Sequence, residues 1–171
     1  MSDWPALVAE MQAVKNRLAV SDREGIWRHE PPRPPARPAS IAEISAVTQC
    51  PLDVEYADFL LHADGWPAIL QDIDLFGSVD FGTSAYAQAE ELVRVIEAEV
   101  DIGRGPCEGR LIPVGASRTD IDIFVVPCRM DSPSPSPVIW LAGGEIERYR
   151  SFSDFFRGVI SENRSEADAL A

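Results

Sequence analysis

No lysine or arginine occurs between Pro38 and Val93, although the 171-residue chain holds 15 of them. That stretch of 56 residues carries ten carboxylates: Glu43, Asp53, Glu55, Asp58, Asp64, Asp72, Asp74, Asp80, Glu90 and Glu91. It therefore holds −10 of the formal −13, while elsewhere 18 acids face 15 bases. A folded surface of one sign repels nucleic acid and anionic membranes and draws basic proteins over long range. Aliphatic and aromatic residues in the stretch are enough to fold, which argues against a disordered acidic tail. The expected partner is a basic protein, with no nucleic acid and no membrane.

Other absences narrow the field. No run approaches the ~20 apolar residues that span a bilayer, and Met1–Pro5 lacks the basic and apolar regions of a signal peptide. The cytoplasm is the expected location. Cys50, Cys107 and Cys128 form no CxxC, and only His29 and His62 stand beside them. Disulfide scaffolds and zinc sites use closer or more numerous ligands, so buried, reduced thiols are expected. A strained G-x-S-x-G elbow is missing, Gly115-Ala116-Ser117 being the nearest approach. A glycine-rich phosphate loop is missing too. With His62 beside a helix stop and His29 in a linker, no nucleophile has a base. The chain is expected not to be an enzyme and to hold no cofactor or metal.

What is present reads as helices, then strands, then a closing helix. Asp3 to Leu18 has Trp4, Leu7, Val8, Met11, Val14 and Leu18 at helical spacing, with Glu10, Lys15 and Arg17 turned away. Ser2 or Asp3 caps it. Arg28 to Pro38 has five prolines in eleven residues, hence an extended, semi-rigid linker with a PxxP from Pro32 to Pro35. Ser40 with Glu43 suggests a capping box for a short helix. Asp53 is a suitable cap for a helix running to about His62, stopped by Asp64-Gly65. Strands are expected at 73–77, 110–115, 121–126, 138–141 and 146–149, the last two joined by Gly143-Gly144. A helix is expected over 85–100, and a final one capped by Ser151 or Ser153. From Asn163 the chain is polar and expected to fray. The spans expected are an N-terminal helix (1–27), a proline-rich linker (28–39), an α+β domain (40–162) and a tail (163–171).

That order of elements, with its local words, resembles the SUKH superfamily, the Smi/Knr-like proteins. The words are Leu52-Asp53-Val54-Glu55-Tyr56, Phe59-Leu60-Leu61, Asp64-Gly65-Trp66, Leu75-Phe76-Gly77, Leu111-Ile112-Pro113-Val114-Gly115 and Ser151-Phe152-Ser153-Asp154-Phe155-Phe156. The likeness covers roughly 40–160. It departs from the family at Asp53, where a proline is usual, and it does not extend to the first helix and linker. It implies a central antiparallel or mixed sheet with helices packed on it. It also implies a non-enzymatic binding module, in many members a bacterial immunity protein that neutralises a toxin, often a nuclease.

An inhibitor of a nuclease gains from imitating phosphate with carboxylates and aromatic anchors. Asp64, Trp66, Asp72, Asp74 and Asp80 surround the first expected strand and are the candidate partner-binding residues. The plain alternative is that Trp66 packs over the end of the second helix and the aspartates are solvated turn residues. Two near-repeats, Asp72-Ile73-Asp74 and Asp120-Ile121-Asp122, place paired carboxylates on one strand face. They read as apolar-in, acid-out alternation rather than as Mg²⁺ ligands, which need more oxygens. The leading expectation is an immunity-type protein that occludes a basic toxin's active site. The alternative is an intracellular adaptor that docks through the linker and first helix. Oligomeric state is not legible.

Overall fold

The computed structural model describes residues 1–103, 109–130 and 135–171. Among them are five helices: α1 (Trp4–Ser21), α2 (Pro38–Thr48), α3 (Val54–Leu60), α4 (Ser84–Glu99) and α5 (Phe152–Ala169). Six strands accompany them: β1 (Trp66–Leu70), β2 (Ile73–Leu75), β3 (Leu111–Ser117), β4 (Asp122–Pro127), β5 (Val138–Ala142) and β6 (Glu145–Tyr149). The strands pair antiparallel in chain order from β1 to β6, with α4 inserted between β2 and β3. The fold is α+β.

Cross-strand partners share a sheet face. Leu75, Gly115, Phe124 and Trp140 stand in register, and Phe124 meets Phe155 of α5 at 4.7 Å between ring centroids. The neighbouring row, Asp74, Ala116, Ile123 and Leu141, faces the other way. Asp74 and Ala116 there border a groove beside α4. One face of the sheet thus belongs to α5 and the other to α4.

The first helix is part of the core and not an appendage. Asp3 caps α1 by accepting from the Ala6 N–H, and Pro5 falls in the first turn, where a missing N–H costs nothing. Trp4, Leu7, Met11, Val14 and Leu18 are all buried. Trp4 sits edge-on to Phe59 and Phe156, at 5.5 and 5.6 Å. Arg17 with Asp168 and Arg164 with Glu10 tie α1 to α5. The tail expected to fray from Asn163 instead continues α5 to Ala169. Asn163 is buried, donating to the carbonyls of Ile69 and Val159 at 2.8 and 2.9 Å.

The proline-rich linker is also engaged. Arg33 N–H donates to Gly65 O, Asp64 N–H to Pro34 O, and Ala36 N–H to Leu60 O. Trp66 Nε1 donates to Glu30 O at 3.0 Å. Residues 22–37 therefore form a strap across the α3–β1 connection, with the PxxP inside it. The next helix begins at Pro38, not at Ser40, and Arg37 precedes it without a side-chain cap bond. Proline's fixed φ suits the first helical position, which displaces the expected capping box.

The motif words meet at one crossing. Gly65 has φ +80°, and a Cβ there would stand 2.5 Å from Gly77 N. A Cβ on Gly77 would stand 2.0 Å from Asp64 O. Only a glycine pair lets these backbones touch. Tyr56 Oη donates to Phe76 O at 2.6 Å beside them. Asp53 caps α3 as expected, its Oδ1 accepting from Glu55 and Tyr56 N–H.

Strand β1 was not expected, because Trp66-Pro67-Ala68-Ile69-Leu70 does not alternate and is buried throughout. It carries a bulge, with Ala68 at φ +49°. Both backbone groups of Ala68 bond to side chains: its N–H donates to Asp74 Oδ1 at 2.8 Å, and its carbonyl accepts from Lys15 Nζ at 2.6 Å. Lys15 was expected to point to water. It is 2 % exposed, drawn inward by an acceptor that exists only once β1 has folded.

Cys50 and Cys128 form a disulfide, against the expectation of reduced thiols. They are 78 positions apart in the chain and 5.9 Å apart between Cα atoms, joining the α2–α3 connection to the end of β4. Cys107 lies outside the described residues, as does part of the Ser/Pro connection between Arg129 and Pro137. Among the described residues no helix is long and apolar enough to cross a membrane.

Candidate functional site

The five residues singled out from sequence do not share one surface. Trp66 is 0 % exposed and packs on Phe156 of α5, so it offers nothing to a partner; its core alternative is the one observed. Asp64 is 8 % exposed. Both its oxygens accept from Ser78, one from the backbone N–H and one from the hydroxyl. It pins the β2–α4 loop from below.

The remaining three lie at a groove of about 520 Å³ between α4 and the β2–β3 part of the sheet. Asp74 and Asp80 line it directly, and Asp72 lies behind Ser117 and Thr119 of its wall. None of the three is an unpaired acid. Asp80 receives both terminal nitrogens of Arg33, at 2.6 and 3.2 Å, and the Gly77 N–H at 2.7 Å. Such a fork fixes both partners in one plane. Asp74 receives Arg28 on Oδ1 at 2.7 Å and Arg118 Nε on Oδ2 at 2.6 Å. Burial opposes its ionisation, yet Arg28, the Ala68 N–H and Arg118 outweigh it and hold the carboxyl below its ordinary value. Asp72 follows the same pattern, with Ser117 and Thr119 as donors against burial.

Arginines from outside the acidic segment therefore neutralise part of it. Arg28 and Arg33 come from the strap, Arg118 from the β3–β4 turn, and Arg94 pairs with Glu91 along α4. These four take the local balance from −10 to −6. The excess survives, but the four predicted aspartates mainly hold the fold together.

The groove itself has two unlike walls. Ala85, Gln88, Ala89 and Leu92 of α4 recur at helical spacing along one side, and Phe76 and Ala116 complete the apolar lining. Opposite run Arg33, Asp80, Asp74, Arg118 and Asp120. Asp120 is exposed and caps its own turn, its Oδ1 accepting from Ile121 N–H at 2.8 Å. The α4 contribution was legible as a helix but not as a wall, because Leu92 reads as core. The arginines were missed since each meets its acid from 44 to 47 positions away.

Among the described residues no three His, Cys, Asp or Glu side chains gather as a metal cluster. The Asp72/Asp74 pair is engaged with hydroxyls and arginines, and Asp122 of the other near-repeat accepts from Trp140 Nε1 at 2.7 Å. His29 bonds Asp22 at 2.8 Å. Two backbone N–H groups, of Trp27 and Ile26, together with His29 and against some burial, hold that carboxyl down at about 2. Asp22 fastens the start of the strap. No protein-family model matches the chain, and no curated protein matches it either.

Proposed function

We propose that this protein is a non-enzymatic protein-binding module that meets a basic partner at the groove between α4 and the β2–β3 part of the sheet. The observation that carries the reading is the two-walled groove, apolar on α4 and charged opposite, in the part of the chain with the largest acidic excess. Apolar contact gives residence time, and charge of one sign gives rate and partner choice. The resemblance to the SUKH superfamily supports the finer reading: an immunity-type protein that neutralises a basic bacterial toxin, with a nuclease favoured. The meeting of the Tyr56, Asp64-Gly65 and Phe76-Gly77 words at one tight crossing supports that resemblance. An adaptor docking through α1 and the proline-rich strap is disfavoured, because both are bonded within the fold.

Affinity capture from the native source at about 50 and 500 mM salt, which bracket weak and strong screening, tests the proposal. One stoichiometric basic partner, retained at low salt and lost to a Gln88→Arg/Asp120→Lys variant, is the expected result. Both positions are exposed, so the variant loses only the Asp120 turn bond to Ile121 and keeps the fold. A partner that ignores both salt and the variant overturns the groove as the contact surface.

A further inference from the structure

We infer that the groove takes an extended partner segment with a basic side chain flanked by apolar ones. This rests on the protein-binding reading above and names what occupies the site. The α4 wall spans eight residues from Ala85 to Leu92, about 10 Å of helix, the reach of three extended residues. A volume of about 520 Å³ lies within the range of sites that enclose a ligand of that size. Phe76, Ala89 and Leu92 offer an apolar seat along this length.

The sign of the partner's charge follows from the opposite wall. Asp74, Asp80 and Asp120 face Arg33 and Arg118 there, and Asp72 and Arg28 behind them cancel, which leaves a net −1. Arg33 is fixed by its two bonds to Asp80. Arg118 is held more loosely: its side chain is 55 % exposed and meets Asp74 through Nε alone. Asp120 has no cation partner among the described residues. An incoming guanidinium or ammonium can therefore settle on Asp120 and share Asp74 Oδ2 with Arg118, while its neighbours lie along α4. An acidic segment would meet this wall with like charge.

Three capped pentapeptides serve as probes for the ¹⁵N-labelled protein at low salt. One has arginine between leucines, one glutamate between leucines, and one arginine between serines. The first is expected to shift the amides of 85–92 and 118–120 saturably and to bind at least fivefold tighter than either control. Asp120→Asn, which keeps the turn bond to Ile121, and Ala85→Lys on the exposed wall should each weaken it threefold or more with an otherwise unchanged spectrum. Equal or tighter binding of the glutamate peptide, or shifts outside the groove, overturns the inference. If no peptide binds while a protein partner still protects the groove, the occupant is wrong and the protein-binding reading stands. If the partner protects another face, that reading fails as well.

Discussion

Replacing Lys15 with methionine isolates the electrostatic cost that the fold accepts at β1. Lys15 is 2 % exposed and its ammonium donates to the carbonyl of the bulged Ala68 at 2.6 Å. Burial, and then the nearby Arg28 charge, lower its pKa from 10.5 to about 8. The unfolded chain thus binds more protons than the native one between about pH 8 and 10.5. Stability must rise with pH across that window, and the cost is present in full below it. At about 1.4 kcal/mol per pH unit the change amounts to about 3 kcal/mol. Methionine keeps the volume and removes the charge but leaves the Ala68 carbonyl without its donor, which costs about 1–3 kcal/mol. At pH 7 the two effects offset, so the variant's stability is expected within about 2 kcal/mol of the parent. The pH dependence is the clean signal. Urea unfolding followed by tryptophan fluorescence at intervals from pH 7 to 10 should show the parent gaining on the variant. Subtracting the two curves removes the tyrosines, whose titration is common to both. Parallel curves would refute the reasoning and mean that Lys15 is solvated.

Other consequences are simpler to test. Trp4→Ala should cost about 3–5 kcal/mol in urea unfolding, as for a large buried aromatic; a cost below about 1 kcal/mol would restore α1 to an appendage. Reducing the Cys50–Cys128 bond releases a loop closed over 78 positions and should lower stability by about 4 kcal/mol, read as a drop in the urea midpoint under dithiothreitol. Gln71 is exposed at φ +52° in the β1–β2 turn, so Gln71→Gly should raise stability by up to about 1 kcal/mol, and any loss would contradict the assigned backbone. Asp74→Asn should lower stability at pH 7, and the gap to the parent should narrow as the pH falls below the ordinary carboxylate value of 3.8. The depressed carboxyl contributes its stability above the unfolded pKa and loses it as the pH falls through the folded one.

The elements legible in the sequence were those specified by neighbours. Asp3 and Asp53 announce α1 and α3 because a carboxylate two or three residues ahead of free N–H groups is a local fact. Gly143 announces the β5–β6 turn for the same kind of reason, since φ +71° there suits glycine. What was hidden depends on contacts across the chain. β1 lacks alternation because both its faces are covered, and its bulge is completed by Asp74 and Lys15 from other elements. Lys15 lies off the apolar stripe by type, though one helical turn from Met11 it shares that buried side. The acidic aspartates looked free because their arginines are far away in sequence. A hint was present: Arg28, Arg33 and Arg37 crowd the N-terminal flank of an uncompensated stretch of −10.

The central claim is that a partner sits in the groove between α4 and the β2–β3 part of the sheet. Hydrogen–deuterium exchange on the captured complex measures this most directly. Slowed exchange confined to 76–92 and 116–121 is the predicted footprint. Protection centred on α1, α5 or the β5–β6 hairpin, with the groove unchanged, would contradict it.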